Sequence, residues 1–543
     1  MNYKELADLI FPDAKPIEFY EKLYPERKLD DGAIVTRFAP SPTGFVHIGG
    51  LYQALCASLS AKRTNGVFFL RIEDTDQKRE IENGITGIIK SLNDFDIIPD
   101  EGMISEDKWN GNYGPYRQSF RKEIYEAYAK YMIELGKAYP CFCTPEELEE
   151  EHKKQEDAKI RPGYYGVWAK CRNLSLDEMA EKIKAKVPYI IRFKSPGRED
   201  RKIQVHDLIK GKVTFPENDL DIPIIKSDGL PTYHFAHLVD DHLMRTTHVI
   251  RSDEWLSSLP LHIQLFQEAG FKAPKYCHIS PIMKNDNGNK RKLSKRKDPE
   301  AAVSYYEELG VPSDAVKEYL INIANSTFEN WRRANKLAKI TDFDFQLNKM
   351  SVSGALFDMV KLLDVSKTVI SRYSAEKVYN ESYKWASEHD EDLKALLDNK
   401  EYSMQVLGIE RGNQKPRKDI SKWSDVKENI IYMYKKPEEF DFDKITGDAV
   451  SKIASEYLNV YDENDEKDIW FNKIKDVAEK CGYAREVKEY KQNPEKWPAH
   501  VGDVSTVLRV ILTGRRNTPD LYEIMKVLGK KEVTQRIEKF ANK

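Results

Sequence analysis

The chain has 543 residues, too many for a single core, and that length points to three or four domains. Lys+Arg (86) and Asp+Glu (89) nearly cancel to a formal net charge of -3, which excludes a uniformly basic nucleic-acid-binding surface but not local basic faces for a large RNA. Six cysteines exclude a disulfide scaffold, Met1–Asp8 carries no basic-then-apolar leader, and no run of eighteen apolar residues occurs, so a soluble cytoplasmic protein without membrane contact is expected.

Residues 1–30, with Pro12, Pro16 and Pro25, read as an N-terminal extension without an interpretable motif. Ala33-Ile-Val35 then leads into Arg37-Phe-Ala-Pro-Ser-Pro-Thr-Gly-Phe-Val-His-Ile-Gly-Gly50, the turn of a strand-loop-helix unit. Pro40 and Pro42 stiffen this loop, Gly44 permits close backbone approach, and Gly49-Gly50 leave open space where the helix begins. A helix N-terminus presents unpaired N–H groups and the positive end of its dipole, which suits phosphate, and His47 can donate to a phosphate oxygen. Leu51, Leu55 and Leu59 predict a helix ending at Asn65-Gly66, and Val67–Ile72 a buried strand. Strand, helix and strand make a βαβ unit of a parallel sheet, whose ligands gather at strand carboxyl ends such as Arg71–Asp76. Asp74 and Asp76 suit capping and turn formation better than metal binding.

From about 140 to 225 the character changes to an inserted domain, with Cys141-Phe-Cys143 as a metal candidate, a polar helix over 145–159 and an aromatic, glycine-containing loop over 161–171. Parallel-sheet character is expected to resume at Ile222–Ile225 and Pro231–His237. It continues through Thr247–Trp255, with Arg251, Glu254 and Trp255 at a strand end. Tyr276–Met283 and a polar turn precede Lys290-Arg-Lys-Leu-Ser-Lys-Arg-Lys297, a cationic run that in isolation is most often a solvated face. Beyond Asp298 the pattern is helical. Val504, Val507 and Ile511 lead to Gly514, Thr518-Pro519 caps a second helix through Leu521, Ile524, Met525 and Leu528 to Gly529, and Val533 and Ile537 mark a third.

Three strings, Arg37–Gly50, the strand end at Glu73 and Lys292-Leu-Ser-Lys-Arg296, occur in an order and context that resemble the glutamyl-tRNA synthetases, class I aminoacyl-tRNA synthetases of bacterial type. The resemblance is specific over 33–310 and looser over 310–543. It implies an α/β Rossmann-type parallel-sheet catalytic domain with an inserted α+β domain, followed by an all-α C-terminal anticodon-binding region. The expected division is an extension (1–30), the catalytic halves (31–140 and 222–275), an inserted acceptor-binding domain (141–221), a stem-contact region with the Lys292–Arg296 loop (276–345) and a helical anticodon-binding domain (346–543).

The implied activity joins L-glutamate to tRNA-Glu through a glutamyl adenylate formed from ATP and Mg²⁺; whether tRNA-Gln is also charged stays open, and a monomer is expected. Activating a carboxylate with ATP builds charge on the phosphates, so the site needs donors that strengthen as that charge grows. His47, Lys292 and Lys295 fill that role. The resemblance adds Ser41, Thr43, Gly44, Gly49, Glu254, Trp255, Ser294 and Arg296 as ATP contacts, and Gly50 stands where many class I relatives have His. For glutamate it implies Arg37, Ala39, Glu73, Tyr233, His237 and Arg251. The arginines suit two carboxylates and Glu73 the ammonium, without deciding which arginine takes which carboxylate. Cys141, Cys143, Tyr164 and Cys171 resemble the zinc site found in some glutamyl enzymes, with a longer interval before Cys171 and Tyr165 as a substitute ligand. Arg509, Arg515 and Arg516 are expected at the anticodon. A glutaminyl-tRNA synthetase is disfavoured by Ala39–Thr43 and Arg251, and a non-catalytic tRNA-binding paralogue by His47, Lys292 and Lys295.

Overall fold

A computed structural model describes residues 1–294 and 296–541. They form two compact units, Met1–Tyr305 with Lys317–Asp358, and Tyr306–Val316 with the chain from Met359 onward.

In the first unit, helices α1 (Tyr3–Ile10) and α2 (Ile17–Leu23) precede strand β1 (Val35–Phe38), all four of whose residues are buried. Helix α3 (Ile48–Arg63) returns the chain to β2 (Val67–Leu70), which pairs with β1 in parallel, Arg37 opposite Phe69. After α4 (Gly84–Asp94), β3 (Glu101–Met103) adds in parallel to β2, and β4 (Trp109–Asn110) closes that side antiparallel. Helix α5 (Lys122–Glu134) leads to the insertion. This holds β5 (Ala138–Cys141), α6 (Pro145–Asp157), α7 (Leu176–Lys184), β6 (Ile190–Phe193), the hairpin β7 (Lys202–Asp207) with β8 (Gly211–Pro216), and β9 (Pro223–Ile225).

Two sequence expectations change here. Ile222–Ile225 does not rejoin the parallel sheet: β9 pairs antiparallel with β6 inside the insertion. Pro231–His237 is not a strand either, for helix α8 (Tyr233–Leu243) begins there and buries Phe235 through Asp241 and Leu243, most of its circumference. The parallel sheet resumes at β10 (His248–Ser252), followed by α9 (Leu259–Glu268) and β11 (Lys275–Ile279), which pairs with β10 in parallel. Thr247 N–H donates to Val35 O at 3.1 Å and Arg37 Nη1 to Ile250 O at 3.4 Å, so β10 runs alongside β1 in the same direction. The carboxyl ends of β1, β2 and β10 therefore meet at one edge. The cationic run begins on a hairpin, β12 (Met283–Asp286) and β13 (Asn289–Lys292), whose turn has Asn287 at φ 51° and Gly288 at φ 88°. Residues 317–358 pack with this unit; Phe357 N–H donates to Met283 O at 2.7 Å.

The extension is tied to the catalytic framework. Glu21 accepts from Tyr128 Oη and His242 Nε2, each at 2.7 Å, and from Arg245 Nη2 at 2.8 Å. Burial pushes the Glu21 carboxyl up, but these donors outweigh it and hold it down to about 2, against 4.5 for an ordinary glutamate. A depressed folded pKa stabilises fully above the unfolded value and loses that effect as pH falls toward 2. The shift corresponds to an upper limit of about 3 kcal/mol, reduced by solvent screening to about 1–2 kcal/mol at this partly exposed carboxylate. Urea midpoints of wild type and Glu21→Gln should therefore differ at about pH 6 and converge toward about pH 3. An equal gap at both would contradict the linkage.

The second unit is helical. Val501–Thr513 ends at Gly514, whose φ of 69° is left-handed, and Leu521–Ala541 bends at Gly529 with φ 76°. Val504, Val507, Ile511, Leu521, Met525, Val533 and Ile537 meet in one core.

Candidate active site

Arg37, 2% exposed, leaves β1 with Nε 3.2 Å from Asp241 Oδ1. Arg71, fully buried at the end of β2, donates through Nη1 to the same oxygen and through Nη2 to Glu73 Oε1, both at 2.9 Å. Burial raises the Asp241 carboxyl, but Arg37, Arg71 and His237 hold it well below the usual range. Glu73 goes the other way: burial pushes its carboxyl up by more than Arg71 and Arg37 pull it down. A ligand ammonium would add to the counter-charge of Arg71, which is shared with Asp241. His237 Nε2 meets Tyr276 Oη at 2.9 Å, its Nδ1 lies 2.5 Å from Asp241 Oδ2 without hydrogen-bond geometry, and burial lowers its pKa to about 3, so it is neutral.

Arg251, 2% exposed at the end of β10, differs from the other two arginines. Its guanidinium meets only neutral groups: His278 Nε2 at 3.0 Å, His262 Nδ1 at 3.1 Å, Tyr233 Oη at 3.3 Å and Trp255 O at 3.4 Å. Among the described residues no carboxylate pairs with it. A buried cation without a counter-ion is costly, and an anionic ligand relieves that cost. The rings of Tyr233 and Trp255 stand beside it, 4.2 Å apart.

A neighbouring cavity of about 590 Å³ gathers three distant segments: the loop from Ala39 with the first turn of α3 to Gly50, Glu254 with Trp255, and Lys292 with Ser294. Ser41, Thr43, Gly44 and Gly49 all face it. His47 is the N-cap of α3; its Nδ1 accepts from Gly50 N–H at 3.1 Å, which assigns the ring proton to Nε2 and makes that nitrogen a donor. A Cβ on Gly49 would lie 2.9 Å from the His47 ring, so glycine there keeps the ring in place.

Lys292 Nζ lies 2.5 Å from Glu254 Oε1, an ion pair between half-exposed side chains, which binds weakly and can be exchanged for phosphate. The loop is rooted on Asp298, 2% exposed, which accepts from Arg291 at 2.6 and 2.8 Å, from Lys284 Nζ at 3.0 Å and from Ser294 N–H at 2.8 Å. Arg291 first, and Ser294 and Lys284 after it, hold the Asp298 carboxyl far below its usual range. Arg296 is exposed. Lys295 lies outside the described residues. Arg71, Asp241, His262, His278 and Asp298 were not singled out for a role from sequence; only the i, i+4 spacing of His237 and Asp241 could have hinted at that pair.

In the insertion, the sulfurs of Cys141, Cys143 and Cys171 lie within 4.8 Å of one another, with Cys143 Sγ 3.7 Å from Cys171 Sγ. Tyr164 Oη is 3.4 Å from both Cys141 Sγ and Cys143 Sγ, whereas Tyr165 Oη donates to Arg161 O. Hydrogen bonding from Cys171 lowers the Cys141 thiol to about 5, despite burial. Tetrahedral zinc with bonds of about 2.3 Å sets its sulfurs about 3.8 Å apart, which the Cys143–Cys171 pair matches.

In the helical unit the three predicted arginines part company. Arg509 is turned inward, donating to Pro519 O at 2.6 Å and to Thr518 O at 3.2 Å. Arg516 reaches Asp443 at 2.8 Å, half exposed, and Arg515 reaches Glu428 at 3.2 Å. Arg515, Arg417, Tyr432 and Thr518 line a cavity of about 330 Å³.

Residues 33–364 match the family described as tRNA synthetases class I (E and Q), catalytic domain, and residues 391–541 match an anticodon binding domain. The chain is 50% identical over 553 residues to the glutamate–tRNA ligase of Clostridium perfringens strain SM101, covering 99% of this chain and 100% of that one. It is 47% identical over 552 residues to the glutamate–tRNA ligase of Clostridium beijerinckii, covering 100% of both. A crystal structure of a glutamate tRNA ligase from Elizabethkingia meningosepticum, in complex with its amino acid, superposes with a TM-score of 0.75 at 30% identity, covering 94% of this chain and 99% of that one. No described helix is long and apolar enough to cross a membrane. The chain belongs to the class I tRNA synthetases of the glutamate and glutamine type, in the branch of the glutamate–tRNA ligases.

Proposed function

We propose that Arg251 receives one carboxylate of L-glutamate, Arg37 stands at the other, Glu73 takes the ammonium and Tyr233 adds a hydroxyl. The observation that carries this reading is the Arg251 guanidinium, buried with neutral partners only. ATP enters as its Mg²⁺ complex in the adjoining cavity, contacting the loop from Ser41 to Gly49. A substrate carboxylate oxygen attacks the α-phosphorus and pyrophosphate leaves. His47 Nε2–H and the ammonium groups of Lys292 and Lys295 stabilise the charge that grows on the phosphates. A ribose hydroxyl of the tRNA terminal adenosine then attacks the glutamyl carbonyl and AMP departs.

The insertion, from β5 through β9, serves the acceptor end of tRNA-Glu and the helical region the anticodon; the Arg515-lined cavity, large enough for a nucleobase, supports the second assignment. Arg509 acts there by shaping the turn at Thr518-Pro519. A cytoplasmic location accords with six cysteines free of disulfides. Charging purified tRNA-Glu and tRNA-Gln separately tests the tRNA assignment: glutamylation of tRNA-Glu is expected, and glutamylation of tRNA-Gln alone would overturn it.

Cys141, Cys143, Cys171 and Tyr164 hold Zn²⁺, which ties two knuckles of the insertion together and does no chemistry on the substrates. Elemental analysis should find about one zinc per chain and almost none in Cys171→Ser, whose melting temperature falls. Wild-type protein prepared without chelators and lacking zinc would refute the assignment.

A further inference from the structure

Through His278, the hold on Arg251 extends to a residue outside the catalytic framework. Arg251 Nε–H donates to His278 Nε2 at 3.0 Å, and His278 Nδ1 is 2.7 Å from Asp207 Oδ2. Asp207 and His278 are both completely buried, Asp207 on β7 of the insertion and His278 on β11 of the parallel sheet. Every contact of the Asp207 carboxylate is an acceptor's: Ile209 N–H at 2.9 Å and Lys210 N–H at 2.8 Å on Oδ1, and His278 N–H at 3.1 Å besides the ring on Oδ2. The hairpin tip that carries it is pinned by Lys210, whose Nζ reaches Asp253 Oδ2 at 3.0 Å and Val352 O at 2.9 Å.

These contacts leave one consistent arrangement of protons. Burial lowers the pKa of His278, so its ring is neutral and carries a single N–H. Burial raises the Asp207 carboxyl, but His278 and the two backbone donors bring it below the usual value, so it is ionised and must accept. The ring proton therefore sits on Nδ1, and Nε2 presents a lone pair to Arg251. With the opposite tautomer, Nε2–H and Arg251 Nε–H would be two donors face to face, and the guanidinium would swing away.

We propose that Asp207 and His278 are positioning residues for glutamate: Asp207 selects the His278 tautomer, and His278 fixes the Arg251 guanidinium in the plane that grips a substrate carboxylate. This rests on the reading of Arg251 as a glutamate ligand. It also means that the amino-acid pocket is completed from the insertion, so a hairpin assigned to the tRNA side helps to define the glutamate side. Asp207 never touches the substrate. Its influence is on geometry, and a displaced binding group costs roughly 10-fold or more in this kind of site.

The test measures KM for glutamate and for ATP in Asp207→Asn, His278→Phe, Arg251→Gln and the double variant Asp207→Asn/Arg251→Gln, with melting temperatures alongside. Asp207→Asn and His278→Phe should each raise KM for glutamate by about 10-fold or more while KM for ATP changes less than about 2-fold. In the Arg251→Gln background, Asp207→Asn should add less than about 2-fold, because the group it positions is gone. If Arg251→Gln raises KM for glutamate but Asp207→Asn and His278→Phe do not, or if Asp207→Asn has its full effect without Arg251, the positioning role is overturned while the glutamate reading stands. If Arg251→Gln leaves KM for glutamate unchanged, both fall. Should Asp207→Asn fail to fold, His278→Phe and its double variant with Arg251→Gln decide the matter by the same comparison.

Discussion

Replacing Arg251 with glutamine is expected to raise KM for glutamate by roughly 10²–10³-fold, the loss that follows when a buried, charge-assisted contact to a ligand carboxylate is removed. KM for ATP should hardly move, because the nucleotide cavity is lined by the loop ending at Gly50 and by Lys292, and Arg251 is not among its walls. The same substitution should leave the melting temperature unchanged or raise it. In the ligand-free protein this guanidinium is 2% exposed and faces two histidine rings, a tyrosine hydroxyl and a backbone carbonyl. Keeping it charged there is a standing cost to the fold, recovered when an anion binds. A variant that lost stability and glutamate affinity together would point to a structural role instead. Steady-state pyrophosphate exchange with tRNA present, paired with thermal melting, separates the two.

The second large effect belongs to His47. His47→Asn should lower the rate of adenylate formation by roughly 10²–10³-fold, as when one preorganised donor to a developing oxyanion is lost. KM for glutamate should stay near wild type. Asparagine is chosen because it also caps helices, so the contact to Gly50 N–H survives while the reach of Nε2 does not. His47→Ala loses the cap as well and should melt lower by an amount worth about 1 kcal/mol. If His47→Asn and His47→Ala are equally slow but only the second is less stable, catalysis and capping are separate duties of one ring. Full activity in His47→Asn would remove His47 from the chemistry.

The parts of the site legible in the sequence are those whose chemistry is local. Pro40, Pro42, Gly44 and His47 lie in one loop with Gly49 in the first turn of the helix that follows, and their spacing alone suggests a strand-loop-helix phosphate site. The helices around Gly514 and Gly529 were readable for the same reason, since a left-handed glycine marks a helix break wherever it falls. What escaped was long-range pairing. Arg71 meets Asp241 across 170 residues of chain and His278 meets Asp207 across 71, and no periodicity records such partners. Pro231–His237 reads as a strand in sequence because it holds a short aromatic and apolar run that either period accommodates, although it opens helix α8. Arg509 is expected at the anticodon from its place beside the break at Gly514, whereas the chain turns back and Thr518-Pro519 lie on its guanidinium. The choice between Tyr164 and Tyr165 was likewise invisible until the backbone showed which ring faces the cysteines.

In the proposed function, buried arginines at the carboxyl edge of the sheet select an acidic amino acid for ATP-dependent transfer to tRNA. The most direct measurement is aminoacylation of tRNA-Glu by the purified protein with ATP and either L-glutamate or L-glutamine as the only amino acid. Transfer of glutamate, with glutamine disfavoured by roughly 10⁴-fold or more in kcat/KM, is the result predicted for a pocket built to hold two carboxylates on buried arginines. Equal use of both amino acids, or preference for glutamine, would contradict it.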